Sequence, residues 1–179
     1  MIYILVALEQ ELSTNPNPSK YRISYTGVGK INAAIAAVEA CLQPDCEAVI
    51  NYGTAGALNK DIIGQLISIG TVYQRDMDAR PLVELGYTPY EENSGPIKIS
   101  DSIFYSPYTL STGDNFVKDI PDLVTDAVDM EAYAIAKVCK IMGKPFECYK
   151  YLSDFADENA VEHWNENVAS GAEKFVKVL

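Results

Sequence analysis

The sequence predicts a three-layer α/β/α domain built on a central mixed, mostly parallel sheet. Three observations lead there. Short apolar runs at residues 2–8, 48–51 and 146–152 end in charges or turn residues, the mark of buried strands. Between them lie segments of helical length with apolar residues three and four apart. No linker, repeat or low-complexity tract interrupts the 179 residues, a length that suits one domain over residues 1–179 with its own core. Strands alternating with helices imply layers packed on a sheet rather than a bundle or a sandwich.

Taken in order, residues 2–8 form the first strand, closed by Glu9-Gln10-Glu11. Asn15-Pro16-Asn17-Pro18 is a turn, since proline presets φ and asparagine bonds its own backbone. Alternation over 21–26 marks a second strand. Gly27-Val28-Gly29-Lys30 opens a helix whose buried stripe is expected to be Ile31, Ala34, Ile35, Val38 and Leu42. Residues 48–51 are a buried strand ended by Gly53-Thr54-Ala55-Gly56, and 66–73 are strand-like. Residues 74–95 are irregular and charged. There Arg75, Asp76, Asp78 and Arg80 crowd together, either as a solvated ion-pair loop or as a contact for an anionic substituent. Short strands follow at 97–100, 109–112 and 125–128. The last feeds a helix over 131–142 that Lys144-Pro145 terminates. Residues 146–152 are the final strand. Asn159-Ala160-Val161-Glu162 has the form of a capping box, and Val161, Trp164, Val168, Ala172, Phe175 and Leu179 are expected to be the buried stripe of a C-terminal helix.

Composition narrows the function. At 48% hydrophobic and 22% charged residues, the chain is a folded globule and not a disordered segment. Its net charge of −11 argues against nucleic acid and anionic membranes as partners. Cys41, Cys46, Cys139 and Cys148 form no C-x-x-C pair, and there is one histidine, so no metal site is expected. The cysteines read as reduced, buried thiols of a cytoplasmic protein. No stretch is long enough to span a bilayer. Residues 1–8 lack the basic start and cleavage-like end of a signal peptide.

Ligands of an open α/β sheet bind beyond the carboxyl ends of its strands, so polar residues at strand ends are the candidates. Asp129, Met130 and Glu131 stand where a strand enters a helix. Glu131 as an ionised carboxylate would accept from two vicinal hydroxyls, or the pair of acids simply favours the helix dipole. Asp154 ends the last strand, while Asp157 and Asn159 are at hand for capping. Glu11 closes the first strand, as a solvated acid or a site residue. Thr54 and Gly56 belong to a small-residue segment that admits a ligand to the backbone or needs positive φ. Phe116 stacks on a heterocycle or belongs to the core. His163 falls on the polar side of its helix. Two acids at one sheet edge can grip sugar hydroxyls and protonate a departing base.

Together these segments resemble the nucleoside phosphorylase-I family, and most of all its methylthioadenosine/S-adenosylhomocysteine nucleosidases. Val128-Asp129-Met130-Glu131-Ala132 and Leu152-Ser153-Asp154 are the most specific matches. Residues 4–11, 27–34, 49–58 and 111–117 follow the family's order. The resemblance implies hydrolysis of the N-glycosidic bond of an adenine nucleoside bearing a 5′ modification, with no cofactor. Asp154 would be the general acid at N7 and Ser153 would orient it. Phe116 would stack on the base, with the Val117 backbone at its edge. Met130 would pack beneath the ribose, and Glu131 would hold its hydroxyls. Glu11 would orient and deprotonate water beside Thr54, with Gly56 in the same turn. Asp129 stands where the nucleosidases carry glutamate. Asn51 stands where related phosphorylases carry a phosphate-holding arginine, which favours water as nucleophile. The alternatives are a purine nucleoside phosphorylase, a nucleotide N-glycosidase using Arg75 or Arg80, or a nucleoside-binding protein without turnover. A homodimer or larger homo-oligomer is also implied.

Overall fold

A computed structural model describes residues 1–99, 106–157 and 160–179. Its strands are β1 (Ile2–Val6), β2 (Tyr21–Tyr25), β3 (Ala48–Ala57), β4 (Leu66–Ser68), β5 (Thr71–Gln74), β6 (Ile97–Lys98), β7 (Thr109–Thr112), β8 (Ala127–Asp129) and β9 (Phe146–Phe155). All nine join one sheet. β1 lies between β2 and β3, parallel to both. β3 pairs in parallel with β9, β5 with β7, and β7 with β8. The antiparallel contacts are β8 against the end of β3, which joins the two parallel parts mid-sheet, and the edge strands β4 along β9 and β6 along β5. The expected mixed, mostly parallel sheet is therefore what forms.

Helices cover both faces. On one, α1 (Lys30–Cys41) and α2 (Ala132–Met142) seat Ala33, Ala37, Ala40, Cys41, Ile135 and Cys139 on Tyr3, Leu5 and Val49. On the other, α4 (Ala172–Val176) drives Phe175 among Ile4, Val6, Ile50 and Tyr52. The Phe175 and Tyr52 rings stack with centroids 4.2 Å apart. α3 (Ala160–Asn167) runs beside β9. No helix among the described residues is long and apolar enough to cross a membrane.

Several expectations are corrected. The α1 stripe is turned outward: Ile31 is 74% exposed, and Ile35, Val38 and Leu42 are exposed too. The helix buries its alanines and Cys41 instead, because small side chains let it approach α2 and the sheet closely. β3 does not stop before Gly53 but runs through Gly53-Thr54-Ala55-Gly56, and β9 continues through Ser153 and Asp154. Each strand supplies the other's ladder, so pairing overrides the glycine signal. The strand-like run 66–73 is two strands broken at Gly70, since β4 pairs with β9 and β5 with β7. The C-terminal stripe splits over α3 and α4. Val161 is exposed, while Ala160 and Phe175 are buried. The strand end at Ser100 and the Asn159 capping residue lie outside the described residues.

Candidate active site

β1, β3, β8 and β9 end at one edge, and a cavity of about 330 Å³ opens there. Glu11, Thr54, Gly56, Phe116, Val117, Asp129, Met130, Glu131 and Asp154 all line it. Ser153 stands just behind, its hydroxyl donating to Asp154 Oδ2 at 2.6 Å. Residues spread from position 11 to 154 thus meet in one place because the parallel strands β1, β3 and β9 run to a common side, and β8 pairs antiparallel with the end of β3 and carries Asp129, Met130 and Glu131 to the same place.

Glu11 is not a solvated acid. It is 3% exposed and follows a tight turn in which Glu11 N–H donates to the Leu8 carbonyl. Its Oε1 accepts from the Thr54 backbone N–H at 2.7 Å and the Thr54 hydroxyl at 2.8 Å, and Oε2 accepts from Leu8 N–H at 3.1 Å. The β3 glycines make room for acids. A Cβ on Gly53 would stand 3.1 Å from Glu11 Oε1, and one on Gly56 would stand 3.1 Å from Asp154 Oδ1. Neither glycine has positive φ, so close approach, and not turn geometry, is what requires them.

Asp154 is buried at the one irregularity in the β3–β9 ladder, where Ala55 pairs with Leu152 but Gly56 pairs with Asp154. Ser153 is the extra residue, and a bulge of this kind re-aims side chains. Burial pushes the Asp154 carboxyl up to about 6, against the Ser153 hydrogen bond and the nearby His163, which pull it down. His163 is accordingly half-buried and electrostatically close to this acid, not a plain surface residue.

Glu131 immediately precedes α2, and its Oε1 accepts from Gly29 N–H at 2.8 Å. The Gly27–Lys30 turn therefore donates to a protein carboxylate. Burial, and next the charge of Asp129, push Glu131 up to about 7. Asp129 has a different task. Its Oδ2 takes the Lys150 ammonium at 2.9 Å and Ala132 N–H at 2.8 Å, while Thr112 Oγ1 donates to Oδ1. Burial raises its pKa, but Lys150 and these hydrogen bonds outweigh burial and hold it below the ordinary carboxylate value. Lys150 stays charged for the reciprocal reason.

Phe116 is 41% exposed and forms part of the cavity wall, so it is not a core aromatic. Arg75 is corrected as well. It is buried, and its terminal nitrogens donate to the carbonyls of Ser111, Asp129, Gly113 and Asn115, tying together the loop that carries Phe116. Arg80 is the exposed member, paired with Asp78 and Asp122. Sequence reasoning passed over Lys150 and assigned Trp164 only to a buried stripe. A lysine inside the apolar run Cys148–Leu152 is a signal that could have been used, because lysine is rarely buried without a partner. Trp164 lines the cavity and donates from Nε1 to Thr54 Oγ1 at 2.9 Å. Among the described residues no cluster of histidine, cysteine and acids could hold a metal.

A mixed sheet with helices on both faces and an acid-lined cavity at its strand ends defines an α/β protein of the phosphorylase type. The sequence profile of the phosphorylase superfamily matches residues 19–103 and 82–179, and the chain belongs to that superfamily. It is 28% identical over 172 residues to a 5′-methylthioadenosine/S-adenosylhomocysteine nucleosidase of Marinomonas sp. (strain MWYL1), covering 83% of this chain and 74% of the relative. It is 30% identical over 161 residues to the nucleosidase of the same name from Bacillus pumilus, covering 75% and 68%. Two solved structures share the fold at a TM-score of 0.85. One is the Helicobacter pylori nucleosidase with butyl-thio-DADMe-Immucillin-A, at 23% identity over 98% of this chain and 94% of that one. The other is a futalosine hydrolase mutant of the same species, at 22% over 98% and 95%.

Proposed function

We propose that the chain hydrolyses the N-glycosidic bond of an adenine nucleoside carrying a 5′ modification, of the 5′-methylthioadenosine or S-adenosylhomocysteine kind, and releases adenine. The observation that carries this reading is the meeting of three buried acids, Glu11, Glu131 and Asp154, around one cavity. Cleavage builds positive charge on the ribose and negative charge on the leaving purine. A site complementary to that state needs anions at the sugar and a proton donor at the base.

Asp154, lifted to about 6 by burial, is the donor: it gives its proton to N7 as the bond to C1′ breaks. Ser153 holds its other oxygen. Glu131 accepts from the ribose hydroxyls, with Gly29 fixing one of its oxygens. Glu11, oriented by Thr54 and Leu8, takes a proton from the attacking water. Phe116 stacks on the base, the Val117 backbone meets its edge, and Met130 lies under the sugar. Asp129 positions the start of α2, and Gly56 keeps the floor open for Asp154. The whole of residues 1–179 serves as one domain around this site.

Water is favoured over phosphate. Of the described residues lining the cavity, Arg75 is the one cation, and its terminal N–H groups serve backbone carbonyls. Asn51 is buried and donates to the Leu5 carbonyl. The same facts weaken a 5′-phosphate substrate. We further infer a homo-oligomer in a reducing, cytoplasmic setting. The outward stripe of α1 supports self-association, and the four free, buried cysteines support the compartment.

The test is a panel of adenosine, 5′-methylthioadenosine, S-adenosylhomocysteine, inosine and AMP, followed for free base with wild type, Glu11→Gln and Asp154→Asn. The proposal expects base release from the 5′-modified adenosines that both substitutions suppress. Tight binding without product across the panel would leave a nucleoside-binding protein instead.

A further inference from the structure

Trp164 is the chain's sole tryptophan; it lines the cavity and reaches from α3 to the Thr54 hydroxyl, which in turn bonds Glu11. The directions of these bonds are forced. An indole N–H only donates, and an ionised carboxylate only accepts. Thr54 Oγ1 therefore accepts from Trp164 at 2.9 Å and spends its single proton on Glu11 Oε1 at 2.8 Å. Without the indole, the same hydroxyl could rotate and give that proton to water or ligand.

We propose that Trp164 is a positioning residue for the hydrolytic step: its N–H orients the Thr54 hydroxyl, which in turn fixes the Glu11 carboxylate toward the attacking water. This rests on the hydrolase reading above. Two consequences follow from the chemistry. Thr54 presents only a lone pair to the cavity, so a water beside it must donate to Thr54 and turns a lone pair elsewhere. The carboxylate is also linked to α3, an element that contributes none of the three acids. A bulky ring alone would serve as wall; the N–H is the part that does the orienting.

Trp164→Phe keeps the ring and deletes the donor. Its expected effect is a fall in kcat of roughly three- to tenfold, the worth of one hydrogen bond, with KM changed by less than about twofold, since the indole N–H is spent on Thr54 Oγ1. Thr54→Val lowers kcat further. Adding Trp164→Phe to Thr54→Val then changes nothing more, because the relay is already cut. Thermal melts of all variants check folding, and Thr54→Ser, which retains the hydroxyl, keeps the Trp164→Phe effect. Additive losses, or an effect confined to KM, would overturn the proposal. A readout independent of turnover accompanies these. In unliganded protein, Thr54→Val shifts the tryptophan emission and Thr54→Ser leaves it near wild type. Unchanged emission in Thr54→Val overturns the relay even in an active enzyme. A shifted emission in a protein that releases no base upholds the contact and sinks the hydrolase reading instead.

Discussion

Gly56 and Asp154 are paired across β3 and β9, and the space between them is too tight for a Cβ unless a neighbour gives way. A Cβ on Gly56 would meet Asp154 Oδ1 at 3.1 Å, Val128 Cγ2 at 3.2 Å and Ala156 Cβ at 3.3 Å. Val128 is held by its strand pairing with Gly56 and Ala156 by its backbone bond to the Ala57 carbonyl, so the carboxylate is the group freest to move. Gly56→Ala is expected to reduce kcat at least about tenfold, as displacement of a reacting group by a fraction of an ångström does. Overpacking would also cost about 1–3 kcal/mol of stability. Steady-state kinetics alongside urea unfolding measure both.

Asp154→Asn separates catalysis from stability. Loss of the proton donor is expected to lower kcat by about 10²–10⁴-fold, with nucleoside binding largely kept. Stability moves the other way. The carboxyl rises from 3.8 to about 6 on folding, so between those values the folded chain holds a proton that the unfolded chain has released. The acid's contribution is therefore favourable at low pH and is lost as pH rises through that window. Asparagine removes this penalty. The variant should melt higher than wild type at pH 8, by up to about 3 kcal/mol, and the difference should shrink toward pH 4. Calorimetry across pH reads it.

The pH profile of kcat/KM should be bell-shaped. Asp154 must carry its proton, which it loses above about 6, and Glu131 must be ionised to accept from the sugar, which it is above about 7. Because the required forms are the reverse of the order of ionisation, only a minority of molecules is competent. The rate should peak between the two values and fall on both sides. Glu131→Gln should abolish the rise on the acid side. A profile flat from pH 5 to 9 would refute these two roles.

Lys150→Met should be severely destabilising without touching ligand. The Lys150–Asp129 pair is almost fully buried, both side chains 1% exposed, and removal of the cation strands the carboxylate. A loss of about 3–5 kcal/mol is expected, seen as a lower urea midpoint. Much of it should be recovered in the double variant with Asp129→Asn.

Legibility in the sequence followed a physical divide. Strand existence was readable because β1, the first half of β3 and most of β9 are short apolar runs that need no partner to be recognised. The extent of β3 and β9 was not. Each continues through a segment that looks like a turn, and only the ladder between them keeps it extended. The same holds for α1. Periodicity locates the stripe of Ile31, Ile35, Val38 and Leu42, but it cannot say which of two apolar faces, large or small, meets α2. At the site, Glu11, Glu131 and Asp154 were recognisable through motif and strand-end logic, and they do meet. Their supporting groups were not. Gly29 N–H, Lys150 and Trp164 act across 102, 21 and 110 residues of sequence, and although a lysine in an apolar run signals a buried partner, no local pattern says which group it meets.

The central claim is cleavage of a purine from its sugar by water. The most direct measurement is the time course of adenine released from 5′-methylthioadenosine by the purified chain in phosphate-free buffer, repeated with phosphate added. The account predicts adenine and free methylthioribose in equal amounts at a rate that phosphate does not raise. Adenine that appears only with phosphate, together with a sugar 1-phosphate, would contradict it.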